Sequence, residues 1–146
     1  MLNIKPFACV RPTEDMAKKT AALPYDVYNR KEAKAYVKDK PYSFLRIDRP
    51  ETAFDEDFDM YSDEAYEKAK ELLNEDIDAG IYIRDNEEAY YIYELTMNSR
   101  SQSGIVACAA IDDYVENRIK KHENTRVQKE FDRIRHIDTL SAQTGA

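Results

Sequence analysis

The pattern of apolar and polar positions along the first third of the chain predicts one strand and two helices. The apolar run Ile4–Val10 predicts a strand. Thr13 is a suitable N-cap for a helix that stops before Pro24, because a residue that precedes proline disfavours helical geometry. The run Asn29–Glu32 has the spacing of a capping box, which predicts a second helix that continues to about Lys38.

The middle of the chain predicts a further strand and a long helix. Ser43–Asp48 alternates weakly between apolar and polar residues, which predicts a strand. Ser62 or Asp63 begins a helix with one apolar face, and Gly80 stands where the C′ glycine of that helix belongs. The apolar face consists of Ala65, Tyr66, Ala69, Leu72, Leu73 and Ile77.

The last part of the chain divides into a β-hairpin and a polar helix. Ile81–Arg84 predicts a short strand. Two longer strand runs, Ala89–Met97 and Gly104–Ile111, are joined by the polar turn Asn98–Ser103, which predicts a hairpin. The segment Asn117–Gln143 is polar and compatible with a helix, and it carries a sparse apolar stripe. The stripe consists of Phe131, Ile134, Ile137 and Leu140.

Strands precede and interleave with helices without strict alternation, which favours an α+β fold over a doubly wound parallel sheet. We expect a mixed or antiparallel sheet with the hairpin at about 89–111, helices packed on it and a C-terminal polar helix. Residues 1–117 would form the α+β core, and residues 118–146 a basic helical extension of the same domain. A chain of 146 residues is long enough to bury such a core without disulfides.

Composition narrows the classes of function. The net charge of -7 argues against a general binder of nucleic acid or of an anionic membrane, so we expect neither as a partner. Three glycines are too few to favour a glycine-rich phosphate loop. Cys9 and Cys108 lie in apolar, strand-like runs and predict reduced core thiols of a cytoplasmic protein. No apolar run approaches the length of a membrane span.

One segment reverses the charge of the rest of the chain. Arg118–His136 contains seven basic and three acidic residues, a local balance of +4, whereas the remainder carries -11. Both histidines, His122 and His136, lie in this segment. A cationic patch on an acidic protein favours a small anion such as phosphate or carboxylate. A solvated amphipathic helix, or one that packs against an acidic partner, is the other interpretation.

The polar residues of this segment form two groups. The first is the run His122–Arg126, which brings an imidazole, a carboxylate, an amide, a hydroxyl and a guanidinium within five positions. The second lies at positions i, i+3, i+4 and i+7 of one predicted helix face. It consists of Lys129, Asp132, Arg133 and His136. Clustered cations with a general base suit phosphoryl transfer, which depends on positioning and charge stabilisation.

These residues have predicted roles. Glu123 would act as a general base or would hold Mg²⁺ together with Asp132. His122 would contact a phosphate or transfer a proton. The residues predicted to bind the anion are Thr125, Arg126, Lys129, Arg133 and His136. The expected ligand is a small anionic metabolite, with ATP or ADP and Mg²⁺ as the cofactors of a kinase-like reaction; whether the chain is an enzyme stays open.

Asp132 and His136 also have the spacing of a pair of metal ligands on one helix turn. With His122 as a third ligand they would hold a transition metal. The same spacing is equally expected of an i,i+4 salt bridge on the helix surface. We therefore predict no transition-metal site.

Two other clusters are candidate ligand sites. Tyr25 and Asp26 follow Pro24 in a loop, where they either lie beside a pocket or connect two helices. The other cluster lies at the end of the predicted strand 43–48 and would bind phosphate. It consists of Ser43, Arg46, Asp48 and Arg49.

Several segments, in order, resemble a bacterial family called domain of unknown function 1015. The most specific part is Lys121–Arg126, followed by Lys129, Asp132-Arg133 and His136. The other matching stretches are Ile4–Phe7 with Arg11-Pro12, Pro24–Val27, Ser43–Leu45 with Arg49-Pro50, Tyr91–Tyr93 and Gly104. Family members continue beyond the point that corresponds to Gln143–Ala146, so the resemblance implies an N-terminal domain of a longer protein. It implies no established activity.

A more distant similarity is to the ParB-like fold of free-serine kinases, in which a His-Glu pair also occurs. The order of motifs differs, so the similarity carries no residue roles to this chain, but it favours phosphoryl transfer over other reactions. The alternative is a non-enzymatic ligand-sensing or assembly module. In that module the apolar stripe would dock on a second copy of the chain, giving a homodimer, or on the C-terminal region of the longer protein.

Overall fold

A computed structural model describes residues 2–121 and 125–144 of the chain, and its helices and small antiparallel sheets confirm the α+β class. The described residues fall into two compact units. The first unit contains residues 2–11 and 84–121, and the second contains residues 12–83 and 125–144. The chain therefore leaves the first unit and returns to it, so neither unit is one continuous segment.

Six strands and six α-helices form the described part of the chain. In chain order they are β1 (Ile4–Lys5), β2 (Val10–Pro12), α1 (Glu14–Thr20), α2 (Arg30–Lys38), α3 (Leu45–Asp48), α4 (Asp63–Asp78), β3 (Tyr82–Arg84), β4 (Tyr91–Met97), β5 (Arg100–Val106), β6 (Cys108–Ala109), α5 (Ile111–Val115) and α6 (Val127–Leu140). Two short 3₁₀ helices, Tyr25–Val27 and Pro50–Ala53, flank α2 and α3. The strands pair as three two-stranded sheets, β1 with β6, β2 with β3 and β4 with β5.

The core of the second unit lies between α3, α4 and the end of α6. It consists of Ile47, Ala69, Leu72, Leu73, Ile81, Tyr82 and Leu140. The predicted apolar face of α4 is buried except at Ile77, which is 38% exposed next to a buried Asp76. Gly80 follows the helix with a φ of +71°, the left-handed geometry that a helix-ending glycine supplies. The predicted start at Ser62 or Asp63 and the predicted C′ glycine of this helix are therefore both confirmed.

The capping box before α2 is also confirmed. The Asn29 side chain accepts from the Glu32 amide at 3.0 Å, and the Glu32 carboxylate accepts from the Asn29 amide at 2.9 Å. The helix runs from Arg30 to Lys38, as predicted. These two bonds satisfy backbone donors that a helix start otherwise leaves unpaired.

The predicted strand at Ser43–Asp48 is wrong, because the backbone there forms the short helix α3. Burial alternates along it as a strand would require, with Ser43, Leu45 and Ile47 buried and the residues between them half-buried. The helix packs on α2, on α4 and on the 3₁₀ helix 50–53, so it has no single buried face. Because this short helix is covered from several sides, its burial alternates with the period of two that is typical of a strand.

The β-hairpin is confirmed, with a shorter turn than predicted. Met97 pairs with Arg100, and the two residues between them, Asn98 and Ser99, have φ values of 51° and 61°. Two left-handed residues define the turn type that matches the twist of a hairpin. The polar run that follows, Arg100–Ser103, is strand β5 and not loop.

Two further expectations change. Cys9 is half-buried and Cys108 is exposed, so the prediction of core thiols is wrong; both are free. The sequence placed them in long strands, but β6 has only two residues and both are exposed. Across residues 2–121 and 125–144, the structure has no helix with the length and apolar character needed to span a membrane.

Helix α6 begins at Val127, later than the helical segment predicted from Asn117. Its buried face carries Asp132, His136 and Leu140 at steps of four residues. The apolar stripe is only partly buried: Leu140 belongs to the buried face, whereas Phe131 is 64% and Ile134 48% exposed. Helix α6 therefore buries two polar side chains, Asp132 and His136, and exposes two apolar ones, Phe131 and Ile134, which departs from an ordinary amphipathic helix.

Candidate functional site

The second unit contains a cavity of about 170 Å³ between α6, α4 and the loops around α3. Most of its lining is polar or aromatic. The lining residues are Tyr25, Tyr28, Asp48, Arg49, Pro50, Glu51, Met60, Tyr66, Lys129, Asp132, Arg133 and His136. One wall comes entirely from α6, because the i, i+3, i+4 and i+7 spacing turns its four polar residues to one side.

Asp132 is the fixed negative charge of this wall. Its Oδ1 accepts from the Tyr66 hydroxyl at 2.9 Å, and its Oδ2 accepts from Arg133 Nη2 at 2.9 Å. Both oxygens of the buried carboxylate thus have a strong donor. Burial and the neighbouring carboxylate raise the pKa of Tyr66, so the phenol stays protonated and keeps donating. Asp132 therefore serves as an anchor that orients Tyr66 and Arg133.

Asp48 lies on the other side of Arg133. Its Oδ1 is 3.7 Å from Arg133 Nη1 and accepts a hydrogen bond from the Thr144 hydroxyl at 3.1 Å. Burial raises the pKa of the Asp48 carboxyl to about 6, and the Arg133 charge offsets only part of this effect. The lining therefore contains a carboxyl that gains a proton just below neutral pH.

His136 is 1% exposed and lines the same cavity. Its Nε2 is 2.9 Å from the carbonyl oxygen of Ile47. A carbonyl only accepts, so Nε2 carries the hydrogen. Burial lowers the pKa of His136, which favours the neutral ring, and in the neutral ring Nδ1 is a bare acceptor. Among the residues that the structure describes, Nδ1 has no hydrogen-bond partner.

The opposite wall is held by a buried ion pair. Arg49 Nε donates to Glu51 Oε1 at 2.5 Å. Arg49 Nη1 donates to the carbonyl oxygens of Tyr25 and Tyr28 at 3.1 and 2.7 Å, which attaches the 25–28 loop to this wall. The second oxygen of Glu51, Oε2, is buried without a partner in the described part of the chain.

Two cations lie over the ring of Tyr25. Lys129 Nζ is 5.1 Å and Arg133 Cζ 4.3 Å from the ring centroid, both within the range of a cation–π interaction. No carboxylate in 2–121 or 125–144 forms an ion pair with Lys129, whereas Arg133 is shared by two. Among the described residues, Lys129 is therefore the cation of the lining that no carboxylate neutralises directly.

The sequence-predicted residues separate into three sets. Five lie together in the lining of the cavity, and these are Tyr25, Lys129, Asp132, Arg133 and His136. Three are exposed and are not part of that lining, and these are Asp26, Thr125 and Arg126. The predictions for His122 and Glu123 lie outside the described residues.

Only part of the second predicted phosphate cluster, Ser43, Arg46, Asp48 and Arg49, lies in the lining of the cavity. Asp48 and Arg49 line the cavity, whereas Arg46 donates to both oxygens of Asp76, at 3.2 and 3.0 Å, and Ser43 is buried outside the lining. The order of residues placed the four together at a strand end. In α3 successive side chains instead point in different directions, so only the last two reach the cavity.

Five lining residues were not singled out as functional from the sequence: Tyr28, Pro50, Glu51, Met60 and Tyr66. Two of them carry a signal in retrospect. Tyr66 is the polar member of the otherwise aliphatic α4 face, and a buried phenol normally has a hydrogen-bond partner. Glu51 follows Arg49-Pro50, and the two residues that flank the proline form the buried pair. Tyr28 and Met60 carry no local signal.

The metal hypothesis finds its residues already engaged. His136 Nε2 bonds to Ile47, and both oxygens of Asp132 have donors. Within the described ranges, no three His, Cys, Asp or Glu side chains are grouped so that they could hold a metal ion. His122, the third predicted ligand, lies outside these ranges.

The chain belongs to the family described as "Protein of unknown function (DUF1015)", whose model matches residues 4–146. This confirms the family that the ordered motifs indicated. No curated protein and no solved structure matches the chain. The more distant similarity to ParB-like free-serine kinases stays a prediction.

Proposed function

We propose that the cavity of the second unit binds a small metabolite through a phosphate or carboxylate group. The observation that carries the proposal is the position of Lys129, a cation without a carboxylate partner in the described ranges, beside Arg133 at the Tyr25 side of the lining. An anion placed there would neutralise the charge of Lys129 and accept hydrogen bonds from the planar guanidinium of Arg133.

The charge balance of the lining supports this choice of ligand. It contains three cations, Arg49, Lys129 and Arg133, and three carboxyl groups. Because the pKa of Asp48 is raised to about 6, one of those carboxyl groups is protonated at slightly acid pH, which leaves a net positive site. A bound anion would favour that proton further, since like charges disfavour ionisation.

The volume limits the ligand. Sites that enclose drug-sized molecules measure roughly 300–1,000 Å³. The cavity, at about 170 Å³, is smaller. It would hold the anionic group of a small metabolite, with or without a few further atoms, but would not enclose a whole nucleotide.

The test is a calorimetric titration of inorganic phosphate into the protein and into Lys129→Gln. A charge-assisted hydrogen bond contributes about 1.5–3 kcal/mol, so we expect the substitution to weaken binding roughly 10- to 100-fold. Lys70→Gln, on the exposed side of α4, is the matched control and should bind like the unaltered chain. Equal affinity in all three proteins would overturn the proposal.

A phosphoryl-transfer reaction is a finer hypothesis that we retain as part of the proposal. Its predicted base, Glu123, lies outside the described residues, and Asp132 holds Tyr66 and Arg133 with its two oxygens. Calorimetry with ATP, ADP and Mg²⁺ tests it, since nucleotide binding that depends on Mg²⁺ and is lost in Glu123→Ala is expected. Absence of nucleotide binding, or binding unchanged by Glu123→Ala, would exclude this reaction class for the chain.

Self-association is a second candidate function, favoured by the outward face of α6. Phe131 is 64% exposed and borders a second, shallower cavity of about 320 Å³ that also includes Tyr61 and Gln128. A dimer of this chain would cover such a face. Light scattering of the chain and of Phe131→Ser with Ile134→Ser tests it, because a dimer that becomes a folded monomer is expected. A monomer in both cases would reject it.

A further inference from the structure

The lining of the cavity contains acceptors that need donors. His136 Nδ1 and Glu51 Oε2 are both buried and both lack a hydrogen-bond partner within the described ranges, and both residues line the cavity. Leaving a buried polar group unpaired is unfavourable by about 1–3 kcal/mol, so two of them around one cavity require an explanation. Neither atom can pair with an ionised carboxylate, because each is an acceptor and a carboxylate has no hydrogen to donate.

The hydrogen bond of His136 to the backbone determines which ring nitrogen is bare. Nε2 faces the Ile47 carbonyl at 2.9 Å and must donate. The groups around the ring are Asp132 and Arg133 on its own helix, Ile47 of α3 and the ring of Tyr66 at 6.5 Å from α4. None of them donates to Nδ1. A molecule bound in the cavity that His136 lines is therefore a candidate source of a donor for Nδ1.

The lining thus requires two different chemistries. Lys129 and Arg133 suit an anionic group at the Tyr25 side. His136 and Glu51 suit a hydroxyl or ammonium group, which donates where a carboxylate cannot. A plain carboxylate such as propionate satisfies only the first requirement.

We propose that the ligand of this cavity is a small acid that also carries a hydrogen-bond donor, a hydroxyl or an ammonium group, and that His136 Nδ1 and Glu51 Oε2 recognise that donor. The inference rests on the proposed function, because the acid group is held by the same Lys129 and Arg133. It deepens that function by naming the class of ligand: hydroxy acids, amino acids or their phosphate counterparts, as opposed to simple carboxylates. A hydroxyl suits the neutral imidazole, and an ammonium suits the Glu51 carboxylate.

Isosteric probes separate the two requirements. Propionate, lactate and alanine differ only in the substituent beside the carboxyl group, which is hydrogen, hydroxyl and ammonium respectively. Ethyl phosphate and 2-hydroxyethyl phosphate form the corresponding pair with a phosphate group. A net hydrogen bond contributes about 0.5–1.5 kcal/mol, so we expect at least one donor-bearing probe to bind roughly 3- to 10-fold more tightly than its donor-free counterpart.

The substitution that tests His136 is His136→Gln, since glutamine retains an amide that can donate to Ile47 while the Nδ1 acceptor is lost. In this variant the preference for lactate over propionate, measured as the ratio of the two affinities, should fall to about one. Glu51→Gln is the parallel test for alanine. Retention of either preference in its variant would contradict the assigned acceptor.

Nitrogen NMR of the histidine-labelled chain gives a readout that needs no variant binding data. We expect His136 to be neutral with hydrogen on Nε2 at pH 7, and its Nδ1 signal to shift with lactate but not with propionate. The signals of His136 are identified by their loss in His136→Gln. A hydrogen on Nδ1, or the same shift with both probes, would overturn the inference.

The outcomes separate the two proposals. If all probes bind equally and all depend on Lys129, the anion-binding function stands and the donor requirement is wrong. If no probe binds, or if binding does not depend on Lys129, the proposed function is wrong and this inference fails with it.

Discussion

Two carboxylates, one in each unit, have opposite surroundings. In the first unit Asp113 is 1% exposed and accepts from the Asn3 amide at 2.7 Å and from Arg118 Nη1 at 2.6 Å. These bonds hold the pKa of Asp113 below its usual value. In the second unit Asp48 has a hydroxyl donor and a more distant guanidinium, and burial raises its pKa to about 6. Only the first site stabilises its charge.

The difference identifies which unit carries the candidate site. Around Asp113 the hydrogen bonds outweigh the desolvation, which is typical of a structural ion pair. Around the cavity, the desolvation of Asp48 outweighs the effect of its partners on its pKa. Within the described ranges, His136 Nδ1 and Glu51 Oε2 lack hydrogen-bond partners. In the same ranges Lys129 lacks a carboxylate partner, whereas Arg133 has one in Asp132. Perturbed pKa values cluster at functional sites, and a buried polar group without a partner requires an explanation. A ligand in the cavity would supply what the Asp113 site obtains from the protein itself.

The largest expected effect concerns the buried ion pair of the cavity. Arg49→Met leaves Glu51 as an unpaired buried charge and removes two bonds to the 25–28 loop, so we expect the free energy of unfolding to fall by about 3–5 kcal/mol. Urea denaturation measures it. The double variant Arg49→Met with Glu51→Gln should recover part of the loss, because the unpaired charge is then absent. No recovery would mean that the charge is not the cause.

The comparison of the two carboxylates predicts that their replacement by asparagine changes the free energy of unfolding in opposite directions. At pH 7, Asp48→Asn should raise the free energy of unfolding by up to about 3 kcal/mol, the equivalent of the shift from about 4 to the folded pKa of about 6. Asp113→Asn should lower it, because the charge there is stabilised.

The pH dependence checks the cause. A raised pKa makes the protonated Asp48 favourable for folding, so its stability contribution is full below about pH 4 and is lost as the pH rises through 6. The advantage of Asp48→Asn should therefore vanish towards pH 4. The Asp113 contribution behaves in the opposite way: it is present above about pH 4 and is lost below. Urea unfolding at pH 4, 5.5 and 7 measures both, and equal signs for the two variants would break the comparison.

The hydroxyl of Tyr66 should contribute less. Tyr66→Phe removes the donor to Asp132 Oδ1, and a hydrogen bond to a charged group contributes about 1.5–3 kcal/mol. We expect a loss near the lower end, because Arg133 still holds the other oxygen. Tyr61→Phe, at an exposed tyrosine, is the control and should change the unfolding free energy by less than about 0.5 kcal/mol. Equal effects of the two substitutions would remove Tyr66 from the account.

The smallest expected effect is on the pH dependence of anion binding. Sulfate keeps its charge between pH 5 and 7, so a change in its affinity reports on the protein. Protonation of Asp48 beside Arg133 and Asp132 should strengthen sulfate binding roughly 3- to 10-fold as the pH falls from 7 to 5. In Asp48→Asn this dependence should be much weaker. An unchanged dependence would assign it to another group.

The sequence predicted those elements whose signals are local. The capping box of α2, the glycine after α4 and the β4–β5 hairpin each depend on neighbouring residues, and each is confirmed. The prediction of a strand at 43–48 was wrong because the burial of this segment comes from three other elements of the second unit, and a local pattern does not contain that information. The prediction that Cys108 is a core thiol was wrong for a related reason, since an apolar run does not reveal that its strand has only two residues and that both are exposed.

Part of the candidate site was predictable for the same reason. Lys129, Asp132, Arg133 and His136 share one helix face, and helical spacing alone brings them to one wall. The opposite wall comes from residues more than 60 positions earlier, among them Tyr66 and Glu51. Their approach depends on how α4 and α6 pack, so single-sequence reasoning identified one wall and missed most of the other.

The most direct test of the anion-binding claim is to locate the bound anion. Met60 lines the cavity, whereas Met16 packs against the core and Met97 lies on the exposed hairpin. In a methionine-methyl NMR titration with phosphate, we predict that the Met60 signal shifts and saturates, that Met16 and Met97 do not move, and that Lys129→Gln suppresses the shift. A Met60 signal that stays unmoved while phosphate binds would contradict the account.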